Sequence, residues 1–203
     1  MYAPIHRDAV EPRRRRGHRR HLVGSHHRLG LVVRKERLEG AAMILAVLPE
    51  VGVGTLRLGM SVREAVGAVR ELGFGSYGPD RGEVPGQVLC EHGESGTDFT
   101  LGFTKGALTD IHLYRFRVED ADVTVVLDGL DVFRTPSEEL LERLAALGHA
   151  VEQNDSGVDT LPELKVILSN ESSFEYPMDE EGDPIHFDYV LVTSVDFRGP
   201  RGD

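Results

Sequence analysis

The chain has no tryptophan, and phenylalanine and tyrosine together make up 6% of its 203 residues, so any aromatic-walled pocket is expected to be modest. Cys90 is the only cysteine. A lone thiol excludes an intrachain disulfide framework and fits a reducing, cytoplasmic compartment. Long apolar runs are missing too: the longest, Ala41 to Leu48, is eight residues, against the ~20 that a membrane-spanning helix needs. Arg34 and Lys35 interrupt the apolar stretch after Leu29, and no small-residue cleavage pattern follows Leu48. Neither a membrane partner nor an export signal is expected.

Positive charge is scarce in most of the chain and crowded at its start. Residues 1–42 hold 11 Lys/Arg against 4 Asp/Glu, whereas residues 43–203 hold 12 against 30. Within the acidic part, residues 43–120 hold 7 against 11 and residues 121–203 hold 5 against 19. A surface of that sign repels nucleic acid, whose binding needs phosphate neutralisation. It attracts a basic protein partner and speeds the encounter. Breaks in charge and pattern divide the chain into a basic extension (1–42), a first α/β unit (43–120), a second unit (121–198) and a tail (199–203). The extension, with Arg13–Arg16 and five of the nine histidines, has no lasting apolar period. It reads as a disordered basic arm or as upstream text translated ahead of a true start at Met43.

Two stretches share one grammar. Thr55-Leu-Arg-Leu-Gly-Met-Ser-Val-Arg-Glu64 and Gly129-Leu-Asp-Val-Phe-Arg-Thr-Pro-Ser-Glu138 align without a gap, matching Leu56 with Leu130, Leu58 with Val132, Ser61 with Thr135 and Glu64 with Glu138. Each is a short alternating strand followed by a capping box, in which the Ser or Thr oxygen takes a free helix N–H and the Glu reaches back. Pro136 is expected at the first helical position. Val62, Ala65, Val66, Val69 and Leu72 mark one helical face, and Leu140, Leu141, Leu144 and Leu147 mark another. Gly73 and Gly148 stand where left-handed cap residues end helices.

Strand signals follow each helix. Phe99, Leu101 and Phe103 alternate up to a Lys105-Gly106 turn, and Ala107 to Phe116 returns. Val123–Leu127 and Leu164–Leu168 read as strands, and Phe187 to Phe197 alternates over eleven residues. The expected fold is α+β: two tandem strand–helix–hairpin units forming a mainly antiparallel sheet, with helices on one face and the other partly open.

The stretch Leu56-Arg57-Leu58-Gly59-Met60-Ser61, running into a helix that closes at Leu72-Gly73, resembles the signature of the β-lactamase inhibitor proteins and of the related outer-membrane assembly lipoprotein fold. Those inhibitors also carry two such units. Layouts of this kind also occur in uncharacterised bacterial proteins, some of them regarded as immunity partners of toxins. The resemblance implies a fold and a sheet that binds protein. It departs at Phe133-Arg134, where Gly-Met would stand, and in the lack of disulfides and of an export signal, so no inhibitor contact residue is carried over.

Chemistry-bearing clusters are few. Cys90, Glu91 and His92 bring a thiol near an imidazole, but in a glycine-rich neighbourhood with no group to orient the ring. As zinc ligands, Cys90 and His92 supply two where a closed site needs about four. Asp179, Glu180, Glu181 and Asp183 gather around Gly182 without the alternation of a calcium loop. They read as a solvated acidic loop or a contact for a basic partner, with Tyr176 beside them as an amphipathic anchor. Gly93-Glu94-Ser95-Gly96-Thr97 lacks the second glycine of a nucleophile elbow. No cofactor, metal or catalytic group is expected. If Ile111 and Leu113 face the helices, then His112, Tyr114 and Phe116 lie on the open sheet face. The expectation is a non-enzymatic binding module of the immunity or inhibitor type, using His112, Tyr114, Tyr176, Asp179, Glu180, Glu181 and Asp183. The rival is a small-ligand binder or enzyme with a pocket between the two units, for which His112, Cys90 and His92 are the groups to inspect.

Overall fold

A computed structural model describes residues 42–77, 85–153, 158–170 and 177–196, so Tyr176 and Phe197 lie outside the described residues. Regular structure begins with β1 (Met43–Leu48), whose Leu45 and Val47 point into the core. The chain folds back through β2 (Gly52–Val53) and β3 (Leu56–Arg57), both antiparallel. At Gly52 the backbone takes φ 153°, and an added Cβ would stand 2.0 Å from the Leu56 carbonyl oxygen. On its other side β1 pairs in parallel with β8 (Val123–Leu127), in register from Met43 with Val123 to Ala46 with Val126. Asp128 and Gly129, at φ 48° and 82°, then form the type I′ turn that a tight hairpin requires, leading into β9 (Leu130–Asp131). The result is a five-stranded sheet in the order β3-β2-β1-β8-β9.

The first helix follows the sequence closely. Ser61 caps α1 (Val62–Glu71): its Oγ accepts from the Glu64 N–H at 3.4 Å, and its own N–H donates to Glu64 Oε2 at 2.9 Å. Ala65 and Val69 are buried, the helix lies against β3, β4 and β7, and Gly73 ends it at φ 94°. The second helix, α2 (Ser137–Ala146), departs from expectation. Pro136 is the cap residue rather than the first helical one, and no side chain caps the helix. The Ser137 N–H instead donates to the Ile185 carbonyl at 2.8 Å, a long-range bond that replaces the local one. Leu140 and Leu144 are buried, but Leu147 is 57% exposed and lies off the core face.

The remaining strands are β4 (Gly75–Tyr77), β5 (Gln87–His92), β6 (Thr97–Thr104), β7 (Ala107–Tyr114), β10 (Glu152–Gln153), β11 (Asp159–Leu161), β12 (Val166–Ser169) and β13 (Tyr189–Thr193). They form an antiparallel eight-stranded sheet in the order β10-β11-β12-β13-β7-β6-β5-β4. β7 and β13 pair at its centre, and the order runs outward 7-6-5-4 on one side and 13-12-11-10 on the other. Lys105 and Gly106, at φ 52° and 81°, turn β6 into β7 as the sequence predicts. Phe99, Leu101, Ile111, Leu113, Val190 and Val192 fill the core beneath the central strands.

The fold is therefore mixed α+β, dominated by strands, and the described residues form two helices and two mostly antiparallel sheets where one sheet was expected. Several boundaries also move. Leu164 and Lys165 belong to a turn, so β12 starts at Val166. The eleven-residue alternation yields a strand of five, with Val195 exposed beyond it. Cys90 lies in β5 rather than in a loop. Phe116 lies past the end of β7 in the core, edge-on to Phe133 with ring centres 6.4 Å apart, so it is not part of the open face. Among the described residues no helix is long and apolar enough to cross a membrane.

Candidate functional site: a sheet face and an acidic cleft

Residues directly opposite each other in an antiparallel pair share one face of the sheet. With Ile111, Leu113, Val190 and Val192 turned to the core, the register carries a single row across all eight strands on the opposite face: Tyr77, Leu89, Thr100, His112, Leu191, Ile167, Thr160 and Glu152. Tyr77 and Leu89, at one end of the row, are 64% and 54% exposed. A parallel row runs Glu91, Asp98, Tyr114, Tyr189 and Ser169.

At the centre the two rows interlock. His112 Nδ1 and Tyr189 Oη are hydrogen-bonded at 2.6 Å, and the Tyr189 ring lies 5.2 Å from Tyr114 and 5.8 Å from His112. Burial pulls His112 below the ordinary imidazole value, against the opposing pull of Asp110, so the ring is neutral near pH 7. Asp110 accepts from the hydroxyls of Thr109 and Thr193 at 2.7 and 2.6 Å. Arg117 bridges Asp98 at 2.7 Å and Glu91 at 3.4 Å. Among these groups Asp98 Oδ1 is buried without a hydrogen-bond partner, while its Oδ2 takes the Arg117 contact. The centre is an aromatic platform of His112, Tyr114 and Tyr189 with polar groups around it.

A second feature lies at the start of α2. A cleft of about 470 Å³ is lined by Glu138, Gln153, Asp159, Asp179 and Asp183, with Ile185 and Phe187 among its apolar walls. Asp159 is 4% exposed, and Gln153 Nε2 donates to its Oδ1 at 3.2 Å. Burial raises its carboxyl above the usual range. Asp179 organises the acidic turn rather than standing free: its Oδ1 accepts from the N–H groups of Glu181 and Asp183 at 3.0 and 2.8 Å. Glu180, Glu181 and Asp183 are exposed. Every residue lining the cleft falls within 136–187. Among the described residues no three His, Cys, Asp or Glu side chains converge as a metal site would require.

The structure thus brings His112 and Tyr114 together on the sheet face and Asp179 and Asp183 together at the cleft. Tyr77, Leu89 and Asp159 escaped sequence reasoning. Leu89 was legible in principle, since residues 87–92 alternate apolar Val88 and Cys90 with outward partners.

The remaining candidates are buried. Cys90 is 1% exposed, and burial pushes its thiol up to about 11. His92 is also buried; its Nδ1 meets Ser95 Oγ at 2.8 Å within a tight turn. A thiolate is the reactive form. Cys90 is therefore expected to resist a disulfide reagent at pH 8 in the folded protein and to react fully in guanidinium; rapid native labelling would contradict the burial. Comparisons with protein-family models, with curated proteins and with solved structures return no match.

Proposed function

We propose that this protein is a non-enzymatic protein-binding module of the immunity or inhibitor type, acting on a basic partner. The observation that carries the reading is the outward side of the eight-stranded sheet, where a row from exposed Tyr77 and Leu89 reaches His112, with Tyr114 in the adjacent row and Tyr189 buried against both rings. Aromatic and apolar anchors of this kind supply most of the binding energy in protein interfaces. Charge supports the same reading: residues 121–203 hold 5 Lys/Arg against 19 Asp/Glu. Acidity of that order steers a basic partner and shows in the association rate. We also take the fold as two tandem strand–helix–hairpin units, related in layout to the β-lactamase inhibitor proteins and the assembly lipoprotein fold. The outward order of strands on either side of the β7–β13 pair supports that division.

The test compares three immobilised full-length proteins in lysate: the parent, Leu89→Asp, and the double variant Glu138→Lys/Asp183→Lys. A basic protein should bind the parent and elute at moderate salt. Leu89→Asp should weaken its affinity at least about tenfold, a loss of roughly 1.4 kcal/mol. The double variant should slow association and flatten the salt dependence. Failure of any protein to bind the parent selectively at low salt rejects the proposal.

The cleft supports a second reading, a binder of small cationic ligands, since its volume lies in the range of ligand pockets. Stabilisation of the parent by an amine or guanidinium compound, lost in Asp159→Asn, would favour that reading over the first.

A further inference from the structure

The acidic turn is held to α2 by a short length of backbone. Pro136 and His186 form an antiparallel bridge, the Ser137 N–H donates to the Ile185 carbonyl at 2.8 Å, and the Ile185 N–H donates to the Pro177 carbonyl at 3.2 Å. Met178 and Pro184 close the turn by a second bridge. These bonds place Asp179 and Asp183 along the cleft. Without them, the first turn of α2 loses the main-chain partner that stands in for a missing cap.

His186 sits at the middle of this fastening. Its Nδ1 is buried with no hydrogen-bond partner, and the ring is also bonded to the main chain of Arg134. The charged groups facing it are the fully buried Arg115 that follows β7, Glu119 in the next turn and Asp131 of β9. Arg115 is fixed in place by its Nε–H bond to the Phe133 carbonyl at 3.0 Å and its Nη2 contact with Glu119 at 2.7 Å. A proton on Nδ1 would bury an N–H without an acceptor, close to a guanidinium that cannot retreat.

From this geometry we infer that His186 is a proton-operated latch that holds the 177–187 turn on the N-terminus of α2 and releases it in mild acid. The inference stands apart from the proposed function, although release would also dismantle the acidic wall of the cleft. The sign follows from linkage. Burial first, then Arg115, hold the ring below its ordinary value in the closed form, outweighing Glu119, the bond to the Arg134 main chain and Asp131. In the open form it returns to about 6.5. The advantage of the closed form is therefore complete above about pH 6.5 and declines as pH falls, by at most about tenfold per pH unit for one proton.

Hydrogen exchange of the full-length protein, read by NMR between pH 7.5 and 5, tests the latch. Protection of the Ser137 amide, corrected for intrinsic rates, should fall as pH drops below 6.5, by no more than about tenfold per pH unit. Protection of the Leu113 amide in the core should hold. His186→Gln keeps a donor for Arg134 and removes the proton site, so its Ser137 protection should not change with pH. Equal loss at Ser137 and Leu113, or a slope that persists in His186→Gln, overturns the proposal. Should the variant not fold, the ring protons of His186 in the parent decide: a titration midpoint at or above 6.5 overturns the latch, and one clearly below it supports it.

Discussion

Phe99→Ala is expected to lower the unfolding free energy by about 3–5 kcal/mol, the range for deleting a buried aromatic from a packed core. Phe99 is 1% exposed and lies on β6 between Cys90 of β5 and Leu113 of β7, with its ring 5.0 Å from Phe74. Alanine would leave a void under the strands that carry Thr100 and His112 on their other face, so the loss reaches the proposed binding surface. Urea unfolding followed by far-UV circular dichroism measures it. The midpoint should fall while the denaturant slope stays constant, as for a change in native stability alone. Phe99→Leu, which keeps most of the volume, should cost under about 1.5 kcal/mol. A cost below that for the alanine variant would place Phe99 outside the core.

Gly52→Ala should be comparably severe, at about 3 kcal/mol or more, for a different reason. The added methyl would meet the Leu56 carbonyl oxygen at 2.0 Å, its carbon at 2.9 Å and Arg57 Cα at 3.0 Å. All three are backbone atoms of the strand paired with β2, so relief requires the β2–β3 ladder to separate. Gly129→Ala is the control: it also has positive φ, at 82°, but open space around its Cα, so only local backbone strain is added. Thermal unfolding of the two variants side by side separates the clash from the strain. Equal losses would mean that the close approach of β2 and β3 carries no energy.

Local codes were legible in the sequence and distant ones were not. The capping box of Ser61 and Glu64, the Lys105-Gly106 turn and the glycines that end both helices rest on bonds spanning four or five residues, and each forms. The start of α2 was misread because its first N–H is satisfied by Ile185, far along the chain. The parallel β1–β8 pair and the row from Tyr77 to Glu152 depend on which strands become neighbours, which alternation alone does not encode. His112 and Tyr114 reached the outward face because strand periodicity fixes their side relative to Ile111 and Leu113. Phe116 obeyed the same count but lies two residues past the strand, where periodicity no longer applies. The cleft was invisible because Glu138 and Asp159 line it from separate elements, α2 and β11, and no local code joins them.

The place of β13 at the centre of the large sheet has a consequence for synthesis. Tyr189–Thr193 joins β12 to β7, so the two halves of the sheet cannot close until nearly the whole described chain has left the ribosome. Until then β7 and β12 present unpaired inner edges, the kind of surface that templates association between chains. Contacts so far apart in sequence also form slowly. A nascent chain paused before Tyr189 is therefore the species most in need of a chaperone, and one that reaches Thr193 buries both inner edges in a single step.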